Sequence, residues 1–371
     1  MILAKKIRLY PTTEQECKLW KSAGTARFIY NWTLNKQEEN YKNGGKFIKD
    51  NDLRKEITQL KKDELLWLNG VSNNVAKQAV KDCCNAYKKF FKGLVDKPRF
   101  KSRKKSKPSF YNDTAKLKVK NKSVLIEKVG WIKTNEQIPM GVKYINPRIS
   151  YDNKYWYISV GVEEDQPTVE LTDVSIGIDV GIKDLAVCSN GMTFNNINKT
   201  KEIRRLKKSL KRKQRQCSRK YEQNKKGKEY VKTKNIAKLE KKIKLIHRRL
   251  SNIRSNYIHQ VTTKIVKTKP SRVVMEDLNI KGMMKNKYLS EAVAEQCLYS
   301  FKMIMKYKCE FYGIEFVEAD RYFPSSKLCS CCGSIKKDLK LKDRTYKCSC
   351  GLSINRDYNA SINLSRYELV I

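Results

Sequence analysis

Residues 2 to 9 set apolar Ile2, Ile7 and Leu9 against basic Lys5 and Arg8, a two-residue period that predicts a strand, and Pro11 closes it. The pattern then turns helical. Leu19, Ala23, Phe28, Tyr30 and Leu34 share one segment, and Val71 to Phe91 forms another with Val75, Ala79, Cys83 and Tyr87 at four-residue spacing. Cys83 and Cys84 read as small core residues of that second helix. From about 115 to 163 the alternation returns in LKVK, SVLIEKVGWIK, YINPRISY and KYWYISVGV, which predicts a small β unit. The strand at 2 to 9 has no strand beside it in sequence, so it is expected to join that unit, with the helices of 12 to 105 inserted between. Trp131, Tyr144, Tyr151, Trp156 and Tyr157 are expected mostly to fill this barrel, although such rings can also stack on nucleotides.

In the second half, residues 174 to 196 read as a strand hairpin and 199 to 266 as two basic helices. Ile236, Leu239, Ile243, Ile246, Leu250, Ile253 and Tyr257 recur at alternating steps of three and four, giving one apolar seam. A dimeric coiled coil would satisfy that seam. A helical hairpin turning around Gly227 is preferred, because 201 to 250 carries 22 Lys or Arg against four Glu, and a dimer seam needs no such unbalanced charge. Two buried-strand patterns end on acids: SIGIDV on Asp179 and RVVME on Glu276. A third acid, Asp357, opens the short helix of INRDYNASINL. Taken singly, these are a turn acid, a surface acid and a first-turn helix acid. Taken together they suggest more, because catalytic groups gather at strand ends in open α/β sheets. Two or three carboxylates there can hold a pair of magnesium ions that clamp the attacking and leaving oxygens of a phosphodiester.

Composition narrows the class. The 371 residues exceed one ordinary core, and 80 Lys plus Arg against 38 Asp plus Glu leave a net charge of +42 spread along the chain. A polyanion is the natural partner. A membrane is not expected, since no apolar run is long enough to span one, and the opening MILAKKIRLYPTTEQ is too weakly apolar for a signal peptide. A cytosolic, nucleoid-associated protein is therefore expected. The stretch RFKSRKKSK between Pro98 and Pro108 reads as a domain boundary and a backbone-binding strap, with Arg99, Lys101, Arg103 and Lys104 as candidate nucleic-acid contacts. His247 and His259 are the only histidines, so histidine-based hydrolysis has few possible participants.

Twelve cysteines in reducing surroundings point to metal ligation or burial rather than disulfides. Cys329 and Cys332 form a Cys-x-x-Cys-Gly knuckle, and Cys348 and Cys350 a Cys-x-Cys-Gly one, with 15 residues between the pairs. This spacing suits one structural Zn2+ on four thiolates, and the glycine after each pair lets the backbone fold tightly around the metal. The second pair is a residue short, so Cys331 stands as an alternative ligand.

GIDVGIKDLAV, VMEDLNIKGMMKN, RYFPSSKLCSCCG and NRDYNASINL, preceded by KIRLYPTTEQ, GTARFIYNWTL and PRFKSRKK, together resemble TnpB, the transposon-encoded RNA-guided nucleases related to type V CRISPR effectors. The resemblance covers essentially the whole chain and is more specific in the second half. It implies a multidomain fold of α/β and β parts. These are a wedge β-barrel (1–10 and 106–170), a helical recognition lobe (11–105), an RNase H-like RuvC nuclease domain (171–324 and 353–371, with 199–266 as its basic hairpin) and a zinc-finger insertion (325–352). It places the catalytic, magnesium-holding acids on Asp179, Glu276 and Asp357 and the zinc ligands on Cys329, Cys332, Cys348 and Cys350. SNNVAKQAVKD occupies the place where the family reads a short DNA motif, which suggests Asn74 and Gln78 as adenine-reading amides; as plain residues they are equally exposed helix polars. The implied partners are a guide RNA from the transposon end and double-stranded target DNA, with a monomer favoured. Three rivals stand beside this reading: a transposase or recombinase using the same acids, a non-cleaving RNA-guided repressor, and a general zinc-finger DNA binder. The repressor is disfavoured because all three acids are present, and the zinc-finger reading leaves them unexplained.

Overall fold

The computed structural model describes residues 1–340 and 343–368. The chain divides into two compact units, 1–165 and 166–371.

The first unit begins with β1 (Ile2–Tyr10), followed by helices α1 (Thr13–Lys42), α2 (Asp50–Leu60) and α3 (Asn73–Phe91). Thr12 and Gln15 form a reciprocal capping box that starts α1. Strands β2 (Ser109–Tyr111), β3 (Lys118–Lys120), β4 (Ser123–Ile126), β5 (Gly130–Thr134), β6 (Ile145–Tyr151) and β7 (Trp156–Glu163) follow. As the unpartnered opening strand suggested, β1 lies within this sheet, antiparallel to β7 from Ile2–Glu163 to Leu9–Trp156 and to β5 at Leu9–Thr134. The hydrogen-bonded order is β2-β6-β7-β1-β5-β4-β3. Alternate residues of β7, Trp156, Ile158, Val160 and Val162, point into a core that also takes Leu19 and Ala23 from α1 and Val75 from α3. Helices and sheet thus share one core. For that reason the chain does not divide at the basic stretch 98–108 but at Asp165/Gln166.

The second unit contains β8 (Thr172–Val180), β9 (Asp184–Cys188), β10 (Thr193–Asn195), α4 (Lys201–Gln223), the two-residue strands β11 (Lys225–Lys226) and β12 (Glu229–Tyr230), α5 (Lys234–Val266), β13 (Pro270–Glu276), α6 (Ile280–Lys285), α7 (Ser290–Gln296), α8 (Leu298–Tyr312), β14 (Glu315–Ala319), β15 (Thr345–Lys347), β16 (Ser353–Asn355) and α9 (Arg356–Ser365). Helices α4 and α5 form the expected hairpin. Gly227 takes a left-handed φ of 56° at its tip, and Ile203, Leu206, Leu210, Ile243, Ile246, Leu250 and Ile253 close the seam within the chain. The seam therefore needs no second copy.

The sheet order is β10-β9-β8-β13-β14, with β8, β13 and β14 parallel. Alternation sorts its two faces. Ile176, Ile178, Val273 and Met275 pack against Ile258, Val261 and Ile265 of α5 and Phe301 and Met305 of α8. On the other face, Val274, Val317 and Ala319 pack against Leu364 of α9.

Candidate functional site

The register of the parallel strands puts two of the acids side by side. Val274 aligns with Gly177 and Met275 with Ile178, so the next step sets Glu276 beside Asp179, both on the face that α9 covers. α9 lies very close to that face. A Cβ on Gly177 would run into the Ser361 carbonyl oxygen and the Ser365 backbone nitrogen, so only glycine lets the helix approach. The helix starts where Asn355 caps it, its Oδ1 accepting from the backbone amides of Asp357 and Tyr358. Its first turn carries Asp357.

Electrostatics tie the three acids together. The Asp179 carboxyl is pushed well above the usual carboxylate range, by burial first and then by the charges of Glu276 and Asp357, while Arg356 opposes the shift. Burial also raises Glu276, against a hydrogen bond that the Ser325 hydroxyl donates to its Oε1. Asp357 is paired with Arg356 at 3.3 Å and lies 3.9 Å from Arg344. The neighbouring Asp277 belongs to a different constellation, held below its usual range by Arg321 and Lys302. Negative charge concentrated against its own repulsion on hard oxygen donors suits a hard divalent cation such as magnesium. The acids do not converge on one point: among the described residues, the group whose ligand atoms all lie within 4.8 Å of one another is the cysteine quartet. Two metal ions about 3.5–4 Å apart require ligands spread around them, whereas one zinc requires convergence.

The quartet is Cys329, Cys332, Cys348 and Cys350. Sulfur separations are 3.7 Å for Cys329–Cys350 and 3.6 Å for Cys332–Cys348, close to the ~3.8 Å edge of a tetrahedron with zinc–sulfur bonds of about 2.3 Å. The Cys348 thiol is pushed down to about 5 by the Cys350 backbone amide and the Ser334 hydroxyl, while the thiols around it help push Cys350 up to about 12, so the crowded sulfurs hold thiolate and thiol side by side. Gly333 and Gly351 adopt φ of 72° and 90°, the tight turns anticipated behind each knuckle. Cys331 is exposed and lies outside the cluster.

The candidate nucleic-acid residues lie in the first unit. Asn74 donates to Glu127 and Gln78 to Asp82, at 3.3 and 2.9 Å. Gln78, Asp82, Lys101 and Arg148 line a cavity of about 260 Å³. Lys101 is clasped through its backbone by Asn31, and its ammonium sits 3.5 Å from the centre of the Tyr30 ring. Arg99, Arg103 and Lys104 are exposed.

Over 366 residues, 97% of this chain and 88% of the relative, the sequence is 31% identical to a "Putative RNA-guided DNA endonuclease" of Streptomyces pristinaespiralis. The chain belongs to the TnpB family. A second member, "Putative RNA-guided DNA endonuclease InsQ" of Escherichia coli K12, is 29% identical over 97% of this chain and 91% of its own. Family models described as "Probable transposase", "Cas12f1-like, TNB domain" and "Helix-turn-helix domain" match residues 157–287, 299–364 and 1–46. Residues 1–46 nonetheless contain β1 and the single helix α1, with no second helix to make that motif. The Cas12f1 chain of a Cas12f1-sgRNA-target DNA complex shares the fold with a TM-score of 0.60 at 14% identity, covering 98% of each chain. The mini-RNA-guided endonuclease CRISPR-Cas_phi3 gives 0.53 at 10% identity, over 99% of this chain and 92% of its own.

Several residues of this site carry no signal in the sequence pattern. Gly177, Ser325, Arg356, Asn359 and Asn363 act through contacts between distant segments, and periodicity is blind to those. Asn359 and Asn363, one helical turn apart, are both buried and both hydrogen-bonded.

Proposed function

We propose that this protein is an RNA-guided DNA endonuclease encoded by a transposon, hydrolysing phosphodiester bonds of double-stranded DNA beside a short motif. The observation that carries the reading is the placement of Asp179 and Glu276 on the neighbouring strands β8 and β13 and of Asp357 in the first turn of α9, the helix packed on that sheet face, in a chain whose relatives bear that name. Asp179, Glu276 and Asp357 would hold a pair of magnesium ions, for which the spread of the acids leaves room. Cys329, Cys332, Cys348 and Cys350 would hold one structural zinc. When divalent cations are bound, such a site supplies charge neutralisation and an in-line clamp on the attacking and leaving oxygens. The protein's own part is to fix the acids on rigid elements: two adjacent strand ends and the first turn of a capped helix. Arg356 and Arg344, both beside Asp357, hold its carboxylate until a cation competes for it.

The domain roles follow the same reading. The sheet of β1 to β7 serves as the wedge barrel, α1 to α3 as the recognition lobe, the β8–β14 sheet with α9 as a RuvC-like nuclease domain and 325–352 as its zinc-bearing insertion. Guide RNA and target DNA are gripped through phosphates, and sequence is read by base pairing. The exposed Lys201, Arg204, Arg205, Lys208, Lys211 and Arg212 of α4 suit that grip, as do Arg99, Arg103 and Lys104, with Lys101 anchoring their strap. Asn74 and Gln78 serve as motif readers once nucleic acid replaces Glu127 and Asp82 as their partners.

The test is to purify the protein from cells carrying its flanking DNA and to sequence the RNA that accompanies it. One discrete RNA running into sequence beside the coding region supports the guided reading. A smear of unrelated RNA, or joined DNA ends formed without RNA, would favour a transposase instead.

A further inference from the structure

We propose that Ser325 is a positioning residue for Glu276, locked in place by α9 through the entry to the zinc-binding loop. The inference rests on the endonuclease reading and extends it to how the acid is aimed. The terminal torsion of a glutamate is broad, so a strand-end carboxylate needs an external contact to fix its plane. Ser325 supplies one: it is 3% exposed and its hydroxyl donates to Glu276 Oε1. Ser325 is itself held from the far side. The Asn363 side-chain amide donates to the carbonyls of Ser325 and Leu328, each at 2.7 Å. One turn earlier, Asn359 donates to the Leu328 carbonyl at 2.7 Å and accepts from the Ser330 amide at 3.0 Å. Arg366 Nη1 donates to the Ser330 carbonyl.

Three side chains of the α9 region therefore grip residues 325–330, the segment that leads into Cys329. Asn359 is 0% and Asn363 3% exposed, and buried amides of this kind are held firmly because an unpaired one costs about 1–3 kcal/mol. The same helix carries Asp357 in its first turn. One rigid element thus sets one acid directly and a second through Ser325, and the zinc loop is tied to both. Partners that hydrogen-bond a metal-ligating carboxylate typically matter about 10- to 100-fold in metal affinity or activity.

The experiment uses the full-length, RNA-loaded, zinc-containing protein as native, S325A, S325T, N363A and D179A. Mn2+ binding is read by electron paramagnetic resonance, with D179A as the baseline for ions held by RNA, and the Mg2+ concentration for half-maximal cleavage is read in parallel. S325A should raise both the Mn2+ dissociation constant and the Mg2+ requirement by about 10- to 100-fold while keeping one zinc per chain and native RNA affinity. S325T, which retains the hydroxyl, should stay near native, and N363A should shift in the same direction as S325A. An S325A protein that titrates like native would overturn the inference while leaving the endonuclease reading intact. So would an S325A defect that appears only with loss of zinc and is not rescued by threonine. Native protein that binds no more Mn2+ than D179A would overturn both.

Discussion

The carboxylate site and the thiol cluster are two gatherings of anionic ligands in one unit, built in opposite ways. The cysteines lie on turns of a segment with little core of its own, where Tyr346 is the one large side chain fully buried among the described residues. Yet their sulfurs already span a zinc-sized tetrahedron. The acids lie on two adjacent strand ends and in the first turn of a capped helix. They are not drawn together as the sulfurs are; burial with the charges of Glu276 and Asp357 makes Asp179 hold its proton more readily than a free carboxyl does, and burial does the same for Glu276. A closed, convergent set holds a metal for structure; an open, spread set leaves positions for substrate oxygens. Where each set sits teaches the same lesson: loops suffice when the ion itself provides the order, whereas positions open to substrate must be fixed by the fold.

The strongest way to break the comparison is to remove the central acid. Asp179→Ala should lower cleavage by roughly a thousandfold, since a metal clamp supplies several kcal/mol and each 1.36 kcal/mol is tenfold, with zinc content and RNA binding unchanged; a gel-based cleavage assay with metal analysis checks this. Next, Cys348→Ser should release zinc and, through the grip on 325–330, lower cleavage on the order of tenfold or more. Cys331→Ser, outside the cluster, should keep both.

Gly177→Ala tests whether the closeness of α9 matters. Its methyl would meet the backbone of Ser361 and Ser365, an overpacking that typically costs about 1–3 kcal/mol, and chemical denaturation should report that loss together with reduced cleavage. A subtler difference lies in pH. Because the folded pKa of Asp179 is raised, the native state binds its proton more tightly than the unfolded chain does. The stability this proton contributes is therefore lost as pH rises from the ordinary carboxylate range through the raised value. Asp179→Asn should flatten that decline and raise the melting temperature near neutral pH in the absence of Mg2+, by about 2–4 °C for each kcal/mol relieved. The smallest effect is at the surface. Replacing Lys208 or Arg212 with Ala should weaken RNA binding modestly and make its salt dependence shallower by about 0.7–0.9 for each phosphate no longer neutralised, which binding titrations across a salt series would read.

Much of this was legible in the sequence. The alternation of the opening strand demands a partner that no neighbouring segment offers, and β7 is that partner. The seam of α5 and the turn at Gly227 predicted a hairpin because each residue type reports its own local period or φ. Two cysteine knuckles meeting on one ion are legible from spacing, which leaves Cys331 open as a ligand until the folded quartet leaves it out. What stayed hidden depends on contact between segments far apart in sequence. Gly177 looks like any strand glycine until α9 lies on it, and Ser325 looks like a loop serine until Glu276 comes within reach. The basic stretch at 98–108 shows the converse: its charge and prolines suggest a boundary, and the helices before it and the strands after it bury a common core.

The most direct test of the central claim is reprogramming. The protein is loaded with RNA whose guide segment is rewritten and is offered two DNA duplexes, one matching the old guide and one the new, each beside the same short motif. The account predicts Mg2+-dependent cutting that moves to the newly matched duplex and disappears with Asp179→Ala. Cutting that ignores the guide, or that persists without Asp179, would contradict it.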